Sequence, residues 1–151
     1  MKVGNICKRN VVTALPTDDL TKAAQLMRSE HVGYIVVVEP EIEDGSFRPI
    51  GVLTDRDIVI EVVAADGDPK ALTIADVMTA KPVAIADSAP LATALAEMRR
   101  IGVRRLPVVG HRGQLVGIVS LDDVINSVAS ELMDVAGSIR NEQRIEGALR
   151  S

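Results

Sequence analysis

The chain has 151 residues, 47% hydrophobic and 25% charged, enough for one compact domain or two small paired ones with a packed core. Its net charge of −4, with Tyr34 and Phe47 the only aromatics, argues against a nucleic-acid partner, which needs a basic face or stacking platforms. Cys7 is the single cysteine, which excludes an internal disulfide and a zinc site built from cysteines.

The opening "MKVGNICKRN" lacks the apolar core of a signal peptide, and no run approaches the ~18 apolar residues of a membrane span. A soluble, cytoplasmic protein is expected. A short strand follows in "NVVTAL" and then a helix over residues 18–31, in which Leu20, Ala23, Ala24 and Met27 have helical spacing and Thr17 is a candidate N-cap. Two β-branched strands, "YIVVV" and "IGVLT", flank the polar loop "EPEIEDGSFRP" with its Asp-Gly turn signal. A second helix starts near Asp55, and "AADGDPKAL" leads onward.

From there the chain repeats itself. An offset of 71 aligns residues 10–38 with 81–109, matching Leu20 to Leu91, Ala23 to Ala94, Met27 to Met98 and Val32 to Val103. Beyond the loop the offset is 66, and Gly51, Thr54 and Asp57 meet Gly117, Ser120 and Asp123. The second copy reads as a strand "PVAIA", a helix over 89–101 with Ser88 as candidate N-cap, strands "RLPVVG" and "LVGIVS" joined by "GHRGQ", and a helix from Leu121. Two copies of about 60 residues predict an α/β fold of the α+β type: two β-α-β-β-α units related by a pseudo-twofold axis, with a C-terminal helix. The expected divisions are 1–68, 69–128 and a helical extension over 129–151.

The doubled junctions "GVLTDRDI" and "GIVSLDDV" have two readings. A hydroxyl residue followed three positions later by a carboxylate is a capping box, which explains why each precedes an apolar run. Against that account alone, both copies use Asp where the reciprocal cap prefers Glu or Gln. Both also stand where a strand end meets a helix N-terminus, a place that gathers N–H donors for phosphates and ribose hydroxyls.

The ordered set of "NIC" and "DVM" opening each unit, "VRRLPVV", and the two junctions resembles the tandem CBS domain pair, or Bateman module, over residues 3–129. The resemblance implies clefts between the units for an adenosine-containing ligand: AMP, ADP or ATP, with NAD or S-adenosylmethionine as further options. It places ribose-binding aspartates at Asp123 and Asp57, their hydroxyl partners at Ser120 and Thr54, and phosphate-facing cations at Arg105 with Arg104. Thr13 and Val32 are then expected at the Asp123 cleft, and Thr79, Ala84 and Val103 at the Asp57 cleft; Ile118, on the strand leading into Ser120, joins the ligand contacts. Gly33 and Tyr34 stand where the first unit should have its cations, so the Asp123 cleft is expected to be the better site, with adenine between aliphatic walls. The ordinary alternative for Arg104 and Arg105 is a solvated basic pair, and Arg56 and Asp122 are expected to be surface charges.

His31 and His111 have no partners at metal or catalytic spacing, and no nucleophile, zinc or P-loop motif occurs. The chain is therefore expected to be no enzyme, to need no cofactor and to bind no metal. The last segment carries Val124, Val128, Leu132, Val135 and Ile139 at steps of three and four, a stripe that either packs on its own unit or meets a second copy. The expectation is a nucleotide-sensing regulatory homodimer acting on an unidentified protein; the competing one is a structural dimerisation module with vestigial clefts.

Overall fold

The structure, a computed structural model, describes residues 1–40 and 44–150. The first unit contains α1 (Val3–Ile6), β1 (Thr13–Ala14), α2 (Leu20–Glu30), β2 (Tyr34–Pro40), β3 (Phe47–Thr54) and α3 (Asp55–Ile58), which runs into a π-helical turn (Val59–Val63). Then come α4 (Ile74–Val77), β4 (Thr79–Ala80), β5 (Ile85–Ala86), α5 (Leu91–Ile101), β6 (Arg105–Val109), β7 (Leu115–Ser120) and the 30-residue α6 (Leu121–Arg150). The α/β character and the C-terminal helix are as expected. Residues 41–43 of the expected polar loop lie outside the described residues, and Gly45 beside them has a φ of 72°, as an Asp-Gly turn requires.

The repeat is realised down to the hydrogen-bond register. Tyr34 faces Thr54 across β2 and β3 as Arg105 faces Ser120 across β6 and β7, and each hairpin slips by a bulge, at Val37/Val38 and at Val108/Val109. Parallel pairing sets Ala14 against Val37 and Ile85 against Val108. The first strands are two residues long in both units, shorter than their apolar runs suggested.

Each unit also completes the other. Val3 on α1 is fully buried in the core of the second unit with Leu106, Val108 and Val119, and Ile74 on α4 is fully buried in the core of the first with Leu20, Ile35 and Leu53. Matching backbone bonds tie them down: Val3 N donates to Ala89 O and Ile74 N to Asp18 O, at 2.9 and 2.8 Å. The chain then extends along the partner unit's sheet, Thr79 opposite Val52 and Lys8 opposite Ile118. That crossing explains the glycine opening each junction. A Cβ on Gly51 would collide with Met78 Sδ, and one on Gly117 would lie 2.7 Å from Lys8 O.

Two helix starts differ from expectation. Asp19, not Thr17, caps α2, its side chain accepting from Lys22 N at 2.8 Å, because Asp18 is already held by Leu15 N and the Lys22 ammonium. Pro90, not Ser88, precedes α5 and fixes its entry by its φ of −62°. His31 closes α2 in the left-handed region at φ 56°, which gives it a backbone role. Gly137 does not interrupt α6.

Candidate functional site

The site is built on the two repeated junctions. At the first, Asp57 N donates to Thr54 Oγ at 3.1 Å and Thr54 N donates to an oxygen of Asp57 at 2.9 Å. At the second, Asp123 N donates to Ser120 Oγ at 3.1 Å and Ser120 N donates to Asp123 at 3.0 Å. Both capping boxes are therefore formed, and aspartate is long enough to close them. The structural reading of the motif holds, and it does not exclude the ligand reading. A carboxylate offers about four lone-pair positions, of which the box uses one, and the box holds the remainder in a fixed orientation.

The surroundings of the two carboxylates differ. Asp57 is half-buried and lines a cavity of about 770 Å³, within the size range of small-molecule sites. Both units contribute walls: Thr54 and Val52 from the first, Thr79, Val83 and Val103 from the second. Val103 is 38% exposed there. Four cations, Arg56, Lys81, Arg104 and Arg105, face the same space with only Asp55 and Asp57 as carboxylates. The cavity thus combines apolar walls with an excess of positive charge.

Asp123 is buried, its side chain 8% exposed, and Lys8 Nζ stands 3.6 Å from its second oxygen. The Lys8 main chain pairs with Ile118 in both directions, at 2.9 Å each way.

Thr54, Asp57, Thr79 and Val103 share the Asp57 cavity as expected, while Ala84 is not among the residues lining it. Thr13, expected at the Asp123 cleft, instead lines a separate cavity against α2 with Leu26 and Phe47. Val32 is half-buried, its N–H donating to Met27 O at 3.1 Å. Arg104 and Arg105, assigned from the sequence to the Asp123 corner, line the Asp57 cavity. Their backbone does belong to the Asp123 corner, since Leu121 N donates to Arg104 O at 2.8 Å. β2 and β6 both begin at the seam between the units, so residues at their starts serve either side. Arg104 also lies 3.7 Å from Asp122.

Sequence reasoning missed Tyr34, Lys81 and Pro82, which also line the cavity. Tyr34 puts an aromatic ring where only aliphatic walls were expected. Burial pushes its phenol far above the usual tyrosine range, partly opposed by Arg105, so it is a neutral hydrogen-bonding group. Arg56 is exposed but lines the cavity. Among the described residues no cluster of three or more His, Cys, Asp or Glu could hold a metal, and no helix is long and apolar enough to cross a membrane.

Comparison with known proteins agrees with the fold. A family model described as the CBS domain matches residues 3–64 and 74–130. A protein of Methanopyrus kandleri is 33% identical over 125 residues, 83% of this chain but 61% of the relative, so the chain spans less than two thirds of it. The CBS domain-containing protein YhcV of Bacillus subtilis is 34% identical, with 80% of this chain and 81% of the relative covered. Among solved structures, a CBS domain protein from Pyrobaculum aerophilum complexed with AMP superposes with a TM-score of 0.71 at 27% identity, covering 82% of this chain and 89% of the other.

Proposed function

The chain belongs to the CBS-domain family, and from that premise we propose that it is a regulatory module that binds an adenosine nucleotide, AMP, ADP or ATP, in the Asp57 cavity. The observation that carries this reading is the cavity itself, where a preoriented carboxylate, apolar walls from both units and four cations meet in about 770 Å³. In this reading Asp57 accepts hydrogen bonds from the ribose hydroxyls, and Thr54 and Thr79 flank the sugar. Val103 and Tyr34 bound the base, while Lys81, Arg104 and Arg105 face the phosphates. The AMP held by the Pyrobaculum protein supports the ligand class. NAD or S-adenosylmethionine would use the same base and ribose contacts.

The module transmits rather than transforms. A ligand touching both units biases their relative orientation only by its difference in affinity for the two arrangements. The receiver is a regulated protein or a second copy of the chain. A dimeric scaffold is the second reading, favoured by the exposed row Val128, Leu132, Val135 and Ile139 on α6, each 46–65% exposed. A thermal-shift screen against AMP, ADP, ATP, NAD, S-adenosylmethionine and GTP separates the two. At ligand 100-fold above its dissociation constant a sensor gains about 2.7 kcal/mol, roughly 5–10 °C at this length. The gain should vanish in Asp57→Ala. No shift with any ligand would leave the scaffold in possession.

A further inference from the structure

We infer that Lys8 keeps the Asp123 corner closed to ligand, so that each chain carries one working nucleotide site, at Asp57, rather than two. The inference rests on the adenosine-nucleotide reading above and adds its stoichiometry and the residue that sets it.

Position 8 is the counterpart of position 79, at the same offset of 71 that aligns residues 10–38 with 81–109. Both positions lie on the segment that crosses to the other unit, Thr79 opposite Val52 and Lys8 opposite Ile118. The crossing therefore delivers residue 79 to the Asp57 corner and residue 8 to the Asp123 corner. At the first it delivers a neutral threonine, which lines the cavity. At the second it delivers an ammonium group, 3.6 Å from Asp123 Oδ1.

Oδ2 of Asp123 already accepts from Ser120 N, so both of its oxygens are engaged within the protein. A ribose diol binding there would have to compete with the lysine for a carboxylate that is 8% exposed, where the ion pair is less screened than on the surface. Asp57 uses one oxygen in its box, and no ion pair to it forms among the described residues. Arg104 and Arg105 sharpen the contrast, because they add their charge to the wall of the Asp57 cavity.

Lys8 is 72% exposed, so its removal leaves the core intact. The test is equilibrium dialysis of radiolabelled AMP and ATP at saturating concentration. It compares wild type, Lys8→Ala, Lys8→Thr, Asp57→Ala and the double variant Lys8→Ala/Asp57→Ala. One ligand per wild-type chain is expected, two for Lys8→Ala and Lys8→Thr, none for Asp57→Ala, and one for the double variant. Two ligands on the wild-type chain, or one or none on Lys8→Ala, would overturn the inference while leaving nucleotide binding established; loss of binding in Lys8→Ala would make the lysine a phosphate contact instead. No binding by any of the five proteins would overturn the nucleotide reading, and this inference with it.

Discussion

The Thr54–Asp57 and Ser120–Asp123 corners use the same motif, the same hydrogen bonds and nearly the same distances, yet their environments are opposite. One carboxylate opens onto a cavity with four cations around it. The other is buried, with a lysine ammonium 3.6 Å from it. The motif itself builds only the frame, a strand end locked to a helix start. What differs is the residue that the other half of the chain sends across, Thr79 in one case and Lys8 in the other. A repeated motif is therefore evidence for a repeated corner, and in the proposed reading the imported neighbour decides whether it becomes a site.

The most damaging way to probe this comparison is to block the crossing. A methyl on Gly117 would meet the Lys8 carbonyl oxygen, which cannot move without breaking its pairing with Ile118, whereas one on Gly51 would first meet the flexible Met78 thioether. Gly117→Ala should lower stability by about 2–3 kcal/mol in urea unfolding, and Gly51→Ala by about 1 kcal/mol. Equal costs would show that the two crossings are equally pliable.

The next effect concerns the charge at the seam. If Arg105 serves the Asp57 cavity, Arg105→Ala should weaken ATP binding by about tenfold or more, the loss of a charge-assisted bond, and leave adenosine binding nearly unchanged. Calorimetric titration with both ligands checks it. Equal weakening of both would place Arg105 in a structural role.

Removing the boxes tests the frame alone. Without ligand, Asp57→Ala and Asp123→Ala should each cost about 1 kcal/mol through the lost cap. Asp123→Ala additionally releases Lys8 and should not cost nucleotide binding.

The smallest effect lies where the hairpins of the two units meet. Asp44 forms an ion pair with Arg112. Hydrogen bonds from Ser46, then from Arg112, bring its carboxyl down to about 2. A depressed folded-state value means that its contribution is fully present above the ordinary carboxylate value, about 3.9, and is lost as pH falls toward 2. Stability measured from pH 5 to pH 2 should therefore fall less steeply in Asp44→Asn than in wild type. The difference should be small, because the pair is exposed.

Much of this molecule is legible in the sequence because its signals are local. Helical spacing of Leu20, Ala23 and Met27 marks α2, and the hydroxyl-to-aspartate spacing marks both boxes. The cap of α2 was misplaced because three adjacent residues, Thr17, Asp18 and Asp19, all suit the role, and only the competition for Asp18 by Leu15 and Lys22 decides among them. The docking of Val3 and Ile74 into opposite cores was not legible, since a four-residue turn shows no periodicity and its partners lie far along the chain. The sequence favours the Asp123 cleft because arginines precede β6; that these arginines line the Asp57 cavity, and that Lys8 reaches Asp123, depends on contacts between distant parts of the chain that no local pattern encodes.

The most direct test of the difference between the corners is a methyl NMR titration of Ile, Leu and Val side chains with AMP and ATP. Val103, Val83 and Val52 report on the Asp57 cavity, and Ile118, paired with Lys8, on the Asp123 corner. Saturable shifts are expected at the three valines and an unchanged resonance at Ile118. Shifts confined to Ile118 would contradict this and return the site to Asp123.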